Sequence, residues 1–168
     1  MNKIIITKNK NPYHNLALEE YLAQNCTSPV LYLWQNEKTV VIGYAQNAYA
    51  ECKSEKIIES GGFLARRTTG GGAVYHDLGN LNFTFIMPNE FYDVKKQFQV
   101  IKEALKQLNI DAEISGRNDI LIEGKKFSGN AFKHTKKTSI HHGTIMVNVD
   151  TSKLGEFLTV SKAKIEAK

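Results

Sequence analysis

Arg66-Arg67-Thr68-Thr69-Gly70-Gly71-Gly72-Ala73-Val74-Tyr75-His76-Asp77 places two arginines and two threonines before three glycines, with an apolar pair after them. Glycine adopts backbone angles closed to other residues and has no side chain to hold a ligand off. A triple glycine therefore lets a ligand lie on the backbone, where N–H groups donate. The arginines add fixed charge and a planar donor fork suited to phosphate or carboxylate. The run describes a cradle for an anionic, nucleotide-like ligand; the plainer alternative is a basic surface loop. Phe63 to Arg66 and Gly72 to His76 read as strands on either side of the glycine turn.

Outward from this turn, strands arrive in pairs with helices between the groups. Ile4 to Thr7 reads as a strand. Asn11 to Ala23 reads as a helix with Tyr13, Ala17, Tyr21, Leu18 and Leu22 on one face. Val30 to Trp34 and Thr39 to Ile42, joined by Gln35-Asn36-Glu37-Lys38, have a hairpin pattern. Glu51 to Glu59 reads as a helix stopped by Gly61-Gly62. Leu81 to Phe85 alternates as a half-buried strand does, and Tyr92 to Leu108 is the longest helix. Ala112 to Ser115, Asp119 to Ile122 and Gly143 to Val149 read as strands, with Lys126 to Phe132 pairing among them. Ser152 to Leu158 opens a last helix. This order predicts an α+β domain: a mixed, largely antiparallel sheet with flanking helices.

A chain of 168 residues suffices for one domain with a substantial core. The net charge of +5 suits anionic ligands or an acidic protein surface. The lysines are scattered, so no nucleic-acid footprint is read. Cys26 and Cys52 form neither a metal spacing nor a disulfide framework. Reduced thiols in the cytoplasm are the expectation. The first residues are too short an apolar run for a signal peptide, and no segment reads as a membrane span. Walker A, Gly-x-Gly-x-x-Gly and Gly-x-Ser-x-Gly patterns are absent from the sequence, against P-loop, Rossmann and nucleophile-elbow enzymes.

The arginine–glycine run resembles the signature of the lipoate–protein ligase A family, in the biotin/lipoate ligase superfamily. Further segments match in the same order: Asn15 to Glu20, Val41 to Asn47, Gly116-Arg117-Asn118-Asp119, Lys126 to Ala131, and His141-His142-Gly143-Thr144. The resemblance covers essentially the whole chain. It implies a fold like class II aminoacyl-tRNA synthetase catalytic domains. It also implies activation of lipoate as lipoyl-AMP by ATP with Mg²⁺, then transfer to a lysine of lipoyl carrier domains. Expected carriers are E2 subunits of 2-oxoacid dehydrogenases and the glycine cleavage H protein.

Joining a carboxylate to a nucleotide phosphate brings two anions together, so positive charge and N–H donors are needed where they meet. By position alone Lys125 and Lys126 are equal candidates; the motif favours Lys126, in a stretch of small residues, as the catalytic contact, and the resemblance implies that it touches both the acyl carbonyl and the nucleotide phosphate. Lys125 points to the opposite face of a regular strand. The resemblance puts Arg67 on the ligands, with Arg66 either structural or in a salt bridge. Gly72, Ala73, Val74 and Tyr75 are expected to line the nucleotide and acyl sites. Gly71, Gly72, Val41, Gly43 and His142 are expected around the lipoyl tail. His141 reads as a core or surface histidine, and zinc spacing is lacking. Asn118 and Asp119 read equally as turn residues and as adenylate contacts, with Asp119 a candidate Mg²⁺ ligand.

A different mechanism stays open. An octanoyl or lipoyl transferase of the same fold would use a cysteine thioester, for which Cys52 is the candidate. A non-catalytic lipoyl-binding module is a further alternative. Long-type ligases run to roughly twice this length in the family picture. The chain stops within Ala163 to Lys168, which reads as an uncapped helix. Residues 1–168 are therefore expected to be a catalytic domain incomplete at its C-terminus, with an accessory domain in the remainder or in a partner chain.

Overall fold

The computed structural model describes residues 3–116 and 119–159. In chain order its elements are β1 (Lys3–Ile6), α1 (Pro12–Gln24), β2 (Val30–Trp34), β3 (Thr39–Ile42), α2 (Ala48–Glu51), α3 (Ser54–Glu59), β4 (Phe63–Arg66) and β5 (Val74–His76). They continue with β6 (Asn80–Pro88), a 3-10 turn at Asn89–Phe91, α4 (Val94–Lys106), β7 (Glu113–Ser115), β8 (Asp119–Ile122), β9 (Lys125–His134), β10 (Thr138–Met146) and α5 (Ser152–Phe157). The strands form a seven-stranded sheet, β1-β2-β6-β10-β9-β8-β7, and a three-stranded sheet, β4-β3-β5. Pairings are antiparallel except β1 with β2 and β3 with β4. The predicted α+β class and the antiparallel bias are what the structure has.

The centre of the large sheet is covered on both faces. Phe83, Phe85 and Met87 pack with Phe98, Ile101 and Leu105 of α4, whose apolar residues recur at helical spacing. The opposite face of β6 carries Asn82, Thr84 and Ile86, all fully buried. So β6 is buried on both sides, and its alternation separates two interiors instead of interior from solvent.

One expectation about pairing and one about helix extent are corrected. Val30–Trp34 and Thr39–Ile42 do not form a hairpin, because β2 lies in the large sheet and β3 in the small one. All four residues of β3 are buried, and β4 and β5 occupy its two edges. The same insertion separates β4 from β5, so the glycine run crosses over β3 and is not the turn of a hairpin. The helix expected over Glu51–Glu59 is two helices. Cys52 between them is extended and bridges to Leu158.

Helix boundaries follow their caps. Asn11 accepts from the N–H groups of Tyr13 and His14, with Pro12 in the first turn. Asp93 accepts from Lys96 N–H, which starts α4 at Val94 instead of Tyr92. The predicted inner face of α1 is wrong in part: Tyr13 and Tyr21 are exposed, while Asn15, Leu16, Glu19 and Ala23 are buried. Polar partners inside the molecule decide this. The last strand runs from Thr138 to Met146, so both His141 and His142 sit mid-strand. The reading of Ala163 to Lys168 lies outside the described residues. No helix among the described residues is long and apolar enough to cross a membrane.

Candidate active site

A β-bulge aims Lys126. Asp119 pairs with Gly129 and Ile120 with Ser128, but Leu121 pairs with Lys126. One extra residue on β9 is thereby absorbed opposite β8. Phe127 packs into the core with Ile120, and Ser128 is fully buried beside it. Lys126 and Gly129, three apart in sequence, consequently share one face. Both line a cavity of about 530 Å³ between β9–β10 and the glycine run. The Lys126 ammonium is 2.8 Å from the Asp119 carboxylate, with both side chains part exposed. Gly129 lets the chain end of Lys126 lie close, since a Cβ there would be 3.4 Å from its Nζ.

Arg67 does something other than offer a free fork. It is 5% exposed, and its guanidinium donates to the carbonyls of Gly70 (2.7 Å), Gly72 (2.8 Å) and Val41 (3.3 Å). Burial pushes it down to about 10, with the Glu19 charge acting to hold it up. Arg67 thus lies on the cavity wall as the template of the glycine loop. Within a planar peptide the N–H points opposite to the C=O. Carbonyls 70 and 72 turned toward Arg67 therefore turn the N–H groups of Gly71 and Ala73 away from it. Gly71, at φ 95°, is in a conformation that favours glycine. Arg66 is structural: its Nη1 donates to the carbonyls of Gly43, Tyr44 and Gln46.

Of the expected residues, Arg67, Gly71, Gly72, Ala73, Val74, Tyr75, Asp119, Lys126 and His142 meet on this cavity. Val41 and Gly43 are not among its lining residues. Val41 is fully buried in β3 and supplies a carbonyl to Arg67. A side chain at Gly43 would run into the Gly71 carbonyl, so glycine there lets β3 support the loop. Asn118 lies outside the described residues. Asp77 caps a turn, accepting from Gly79 N–H and Asp150 N–H. Neither cysteine lines the cavity. Cys52 is buried among Ile57, Tyr75 and Phe157, and burial, then Glu51, pushes its thiol up, away from the nucleophilic thiolate.

A buried polar network beneath the cavity was missed from sequence. Glu19 of α1 is 1% exposed; its Oε1 accepts from Thr84 at 2.6 Å and faces His142 Nδ1 at 2.8 Å. Trp34 Nε1 donates to the same Thr84 hydroxyl, and the Trp34 and His142 rings meet edge to face. Burial raises the Glu19 carboxyl, but His142, Thr84 and the Arg67 charge together bring it below the ordinary carboxylate value. Asn15, Glu19 and Ala23 recur every fourth residue, and that spacing was the available signal. His76 and Asn80 also line the cavity, with Met146, Leu154 and Leu158 as its apolar wall.

Two buried histidines make stability pH-dependent. Burial, then His142 and Arg67, push His76 down to about 3. Burial and His142 do the same to His141, which lies among Phe83, Phe98 and Phe132. Folded, both stay neutral where an unfolded chain binds protons below about 6.5. Stability therefore falls as pH drops from about 6.5 to about 3, by about 1.4 kcal/mol per unit for each. Glu19 adds in the same direction, since a depressed carboxylate loses its stabilisation as pH falls through its folded value. Melting followed by circular dichroism is expected to show Tm declining steadily from pH 7 to 4. A flat Tm over that range would contradict neutral buried rings.

Residues 11–168 match the family model described as the lipoyl protein ligase A/B catalytic domain. The chain is similar to lipoate-protein ligase A of Psychrobacter cryohalolentis, with 51% identity over 160 residues, 94% of this chain and 47% of that protein. It spans about half the length of the curated relatives it matches. P. falciparum LipL1, solved in complex with lipoate, superimposes with a TM-score of 0.89 at 38% identity, over 99% of this chain and 54% of that one. A lipoate-protein ligase A solved bound with ATP gives 0.85 at 30% identity, over 98% and 74%.

Proposed function

The chain belongs to the lipoyl protein ligase A/B catalytic family, and from that premise we propose that it carries the activating site of an ATP-dependent lipoate–protein ligase. The observation that carries this is the Lys126 ammonium, set by the bulge on a cavity facing the glycine loop. A lipoate carboxylate oxygen attacks the α-phosphorus of ATP, and the bond to pyrophosphate breaks. The product is the mixed anhydride lipoyl-AMP. Lys126 leaves Asp119 and donates to both reacting anions, offsetting their repulsion where charge accumulates. Gly71 and Ala73 N–H groups add donors that need no reorganisation. The lipoyl tail lies against Val74, Ala131 and Met146. The ε-amine of a carrier-domain lysine then attacks the acyl carbonyl, AMP leaves and an amide forms. The basic net charge suits an acidic carrier such as an E2 lipoyl domain or a glycine cleavage H protein.

Mg²⁺ fits this wall in a limited way. It takes one or two carboxylates and completes its shell with phosphate oxygens and water. Asp119 is a carboxylate on the cavity, and among the described residues no cluster of three His, Cys, Asp or Glu offers a cage. Asp119 would hold the ion, which neutralises phosphate charge when bound.

The test is mass spectrometry of lipoyl-AMP formed from lipoate, ATP and Mg²⁺, followed by the mass of an apo carrier domain added afterwards. Adenylate formation supports the ligase; its absence removes it. Replacing both Cys26 and Cys52 by Ser is expected to leave acyl transfer intact and ATP obligatory. An acyl-thioester on the intact wild-type protein, formed without ATP, would establish the transferase instead.

A further inference from the structure

His76 stands in the cavity wall, 1% exposed, and its Nε2 has no hydrogen-bond partner among the described residues. Which ring nitrogen carries the proton follows from a relay of amides. Asn15 Nδ2 lies 3.0 Å from the Asn9 carbonyl and 2.9 Å from that of Gln35, and both can only accept. Tyr32 Oη donates to Asn15 Oδ1 at 3.3 Å, which agrees with that orientation. Asn15 Nδ2 also faces Asn36 Oδ1 at 3.1 Å, which turns Asn36 Nδ2 toward His76 Nδ1 at 3.4 Å. Nδ1 therefore accepts, and the proton of the neutral ring sits on Nε2. A buried donor without a partner is left on a residue of the cavity wall.

The cavity is graded. Lys126 and Asp119 are part exposed, whereas His76 and His142 are 1% and 4% exposed, with Trp34 edge-on to both rings. An acid whose carboxylate reaches Lys126 thus carries its tail toward His76. A saturated hydrocarbon tail gives the Nε2–H nothing to bond and keeps it desolvated. A ring sulfur is a weak but real acceptor, and a buried donor discriminates against the analogue that lacks an acceptor.

We propose that His76 is the specificity residue that favours a dithiolane tail over an all-carbon one, by donating its Nε2–H to a ring sulfur. The proposal rests on the lipoate-activating site described above and names what selects lipoate there. The expected preference for lipoate over its carbocyclic counterpart, in which both sulfurs are methylenes, is about tenfold in Kd.

Calorimetric titration of the wild-type chain with lipoate, the carbocyclic acid and octanoate tests this, alongside His76→Leu and His76→Gln. Leu removes the donor, and the Gln amide keeps one near the same place. The tenfold preference is expected in wild type, lost in H76L and largely retained in H76Q. Equal affinity of wild type for lipoate and the carbocyclic acid, or the same ratio in H76L as in wild type, overturns the role of His76. Failure of wild type to bind any of the three acids overturns the lipoate site itself. A second measurement needs no variant: nitrogen NMR of labelled histidine in the wild-type chain. A His76 Nε2–H tautomer that shifts with lipoate and not with the carbocyclic acid supports the assignment. An Nδ1–H tautomer, or equal shifts with both acids, refutes it.

Discussion

Lys126→Ala lowers the rate of lipoyl-adenylate formation by a hundredfold or more. Removing one charge-assisted contact from a forming transition state costs about 3–4 kcal/mol, and here the contact serves two anions at once. The fold itself should hardly notice. Lys126 is part exposed and its ion pair with Asp119 is accessible to water, so stability should stay within about 0.5 kcal/mol of wild type. Lys125→Ala is the control, because Lys125 precedes the bulge, is exposed and is not among the cavity residues. Single-turnover pyrophosphate release separates the two variants. Wild-type rates for Lys126→Ala would take this residue out of the chemistry. A large loss for Lys125→Ala would mean that the strand register, and not the ammonium, is what matters.

Arg67→Ala destabilises the whole domain, by about 3–5 kcal/mol, the range for stripping a buried charge of its partner. The substitution leaves the carbonyls of Gly70, Gly72 and Val41 without their donor and removes the Arg67 charge that helps His142 and Thr84 hold the buried Glu19 carboxylate down. With total stabilities of 5–15 kcal/mol usual, the remainder is thin. Tm should drop by roughly 10 °C. Binding of lipoate and ATP should weaken together, because one loop faces both. Arg67→Lys restores the charge opposite Glu19 but cannot span three carbonyls, so it should recover stability more than affinity. Thermal melting and calorimetry read the two effects separately. An Arg67→Ala protein that melts like wild type would show that the glycine loop needs no template.

Arg67 also marks where sequence reasoning reached and stopped. The pair Arg66-Arg67 beside Gly70-Gly71-Gly72 was legible as a basic, ligand-facing turn, since charge and glycine freedom are local properties. That Arg67 spends its donors on backbone carbonyls was not legible, because Val41 comes to it from a different strand. Val41 and Gly43 are expected beside the lipoyl tail from sequence; in the structure Val41 bonds Arg67, Gly43 lies against Gly71, and neither is among the cavity's lining residues. The hairpin expected from Val30–Trp34 and Thr39–Ile42 failed for a related reason. Short apolar runs joined by four polar residues look alike whether the second run turns back or crosses to another sheet.

The sequence by itself determined the α+β class, most strands and the two long helices to within a few residues though not the start of the last strand or the break at Cys52, the family signature, and Lys126 as a charged residue in a small-residue segment. Those follow from periodicity, capping and local chemistry, all written within a few neighbouring positions. Only the tertiary structure decided that a bulge at Phe127 turns Lys126 to the same face as Gly129. It alone joined Glu19, Thr84, Trp34 and His142, separated by up to 123 residues, and left one buried nitrogen of His76 unmatched. The physical reason is that burial and hydrogen-bond partnership belong to the packed chain. A glutamate or histidine carries no mark of them until distant strands close around it.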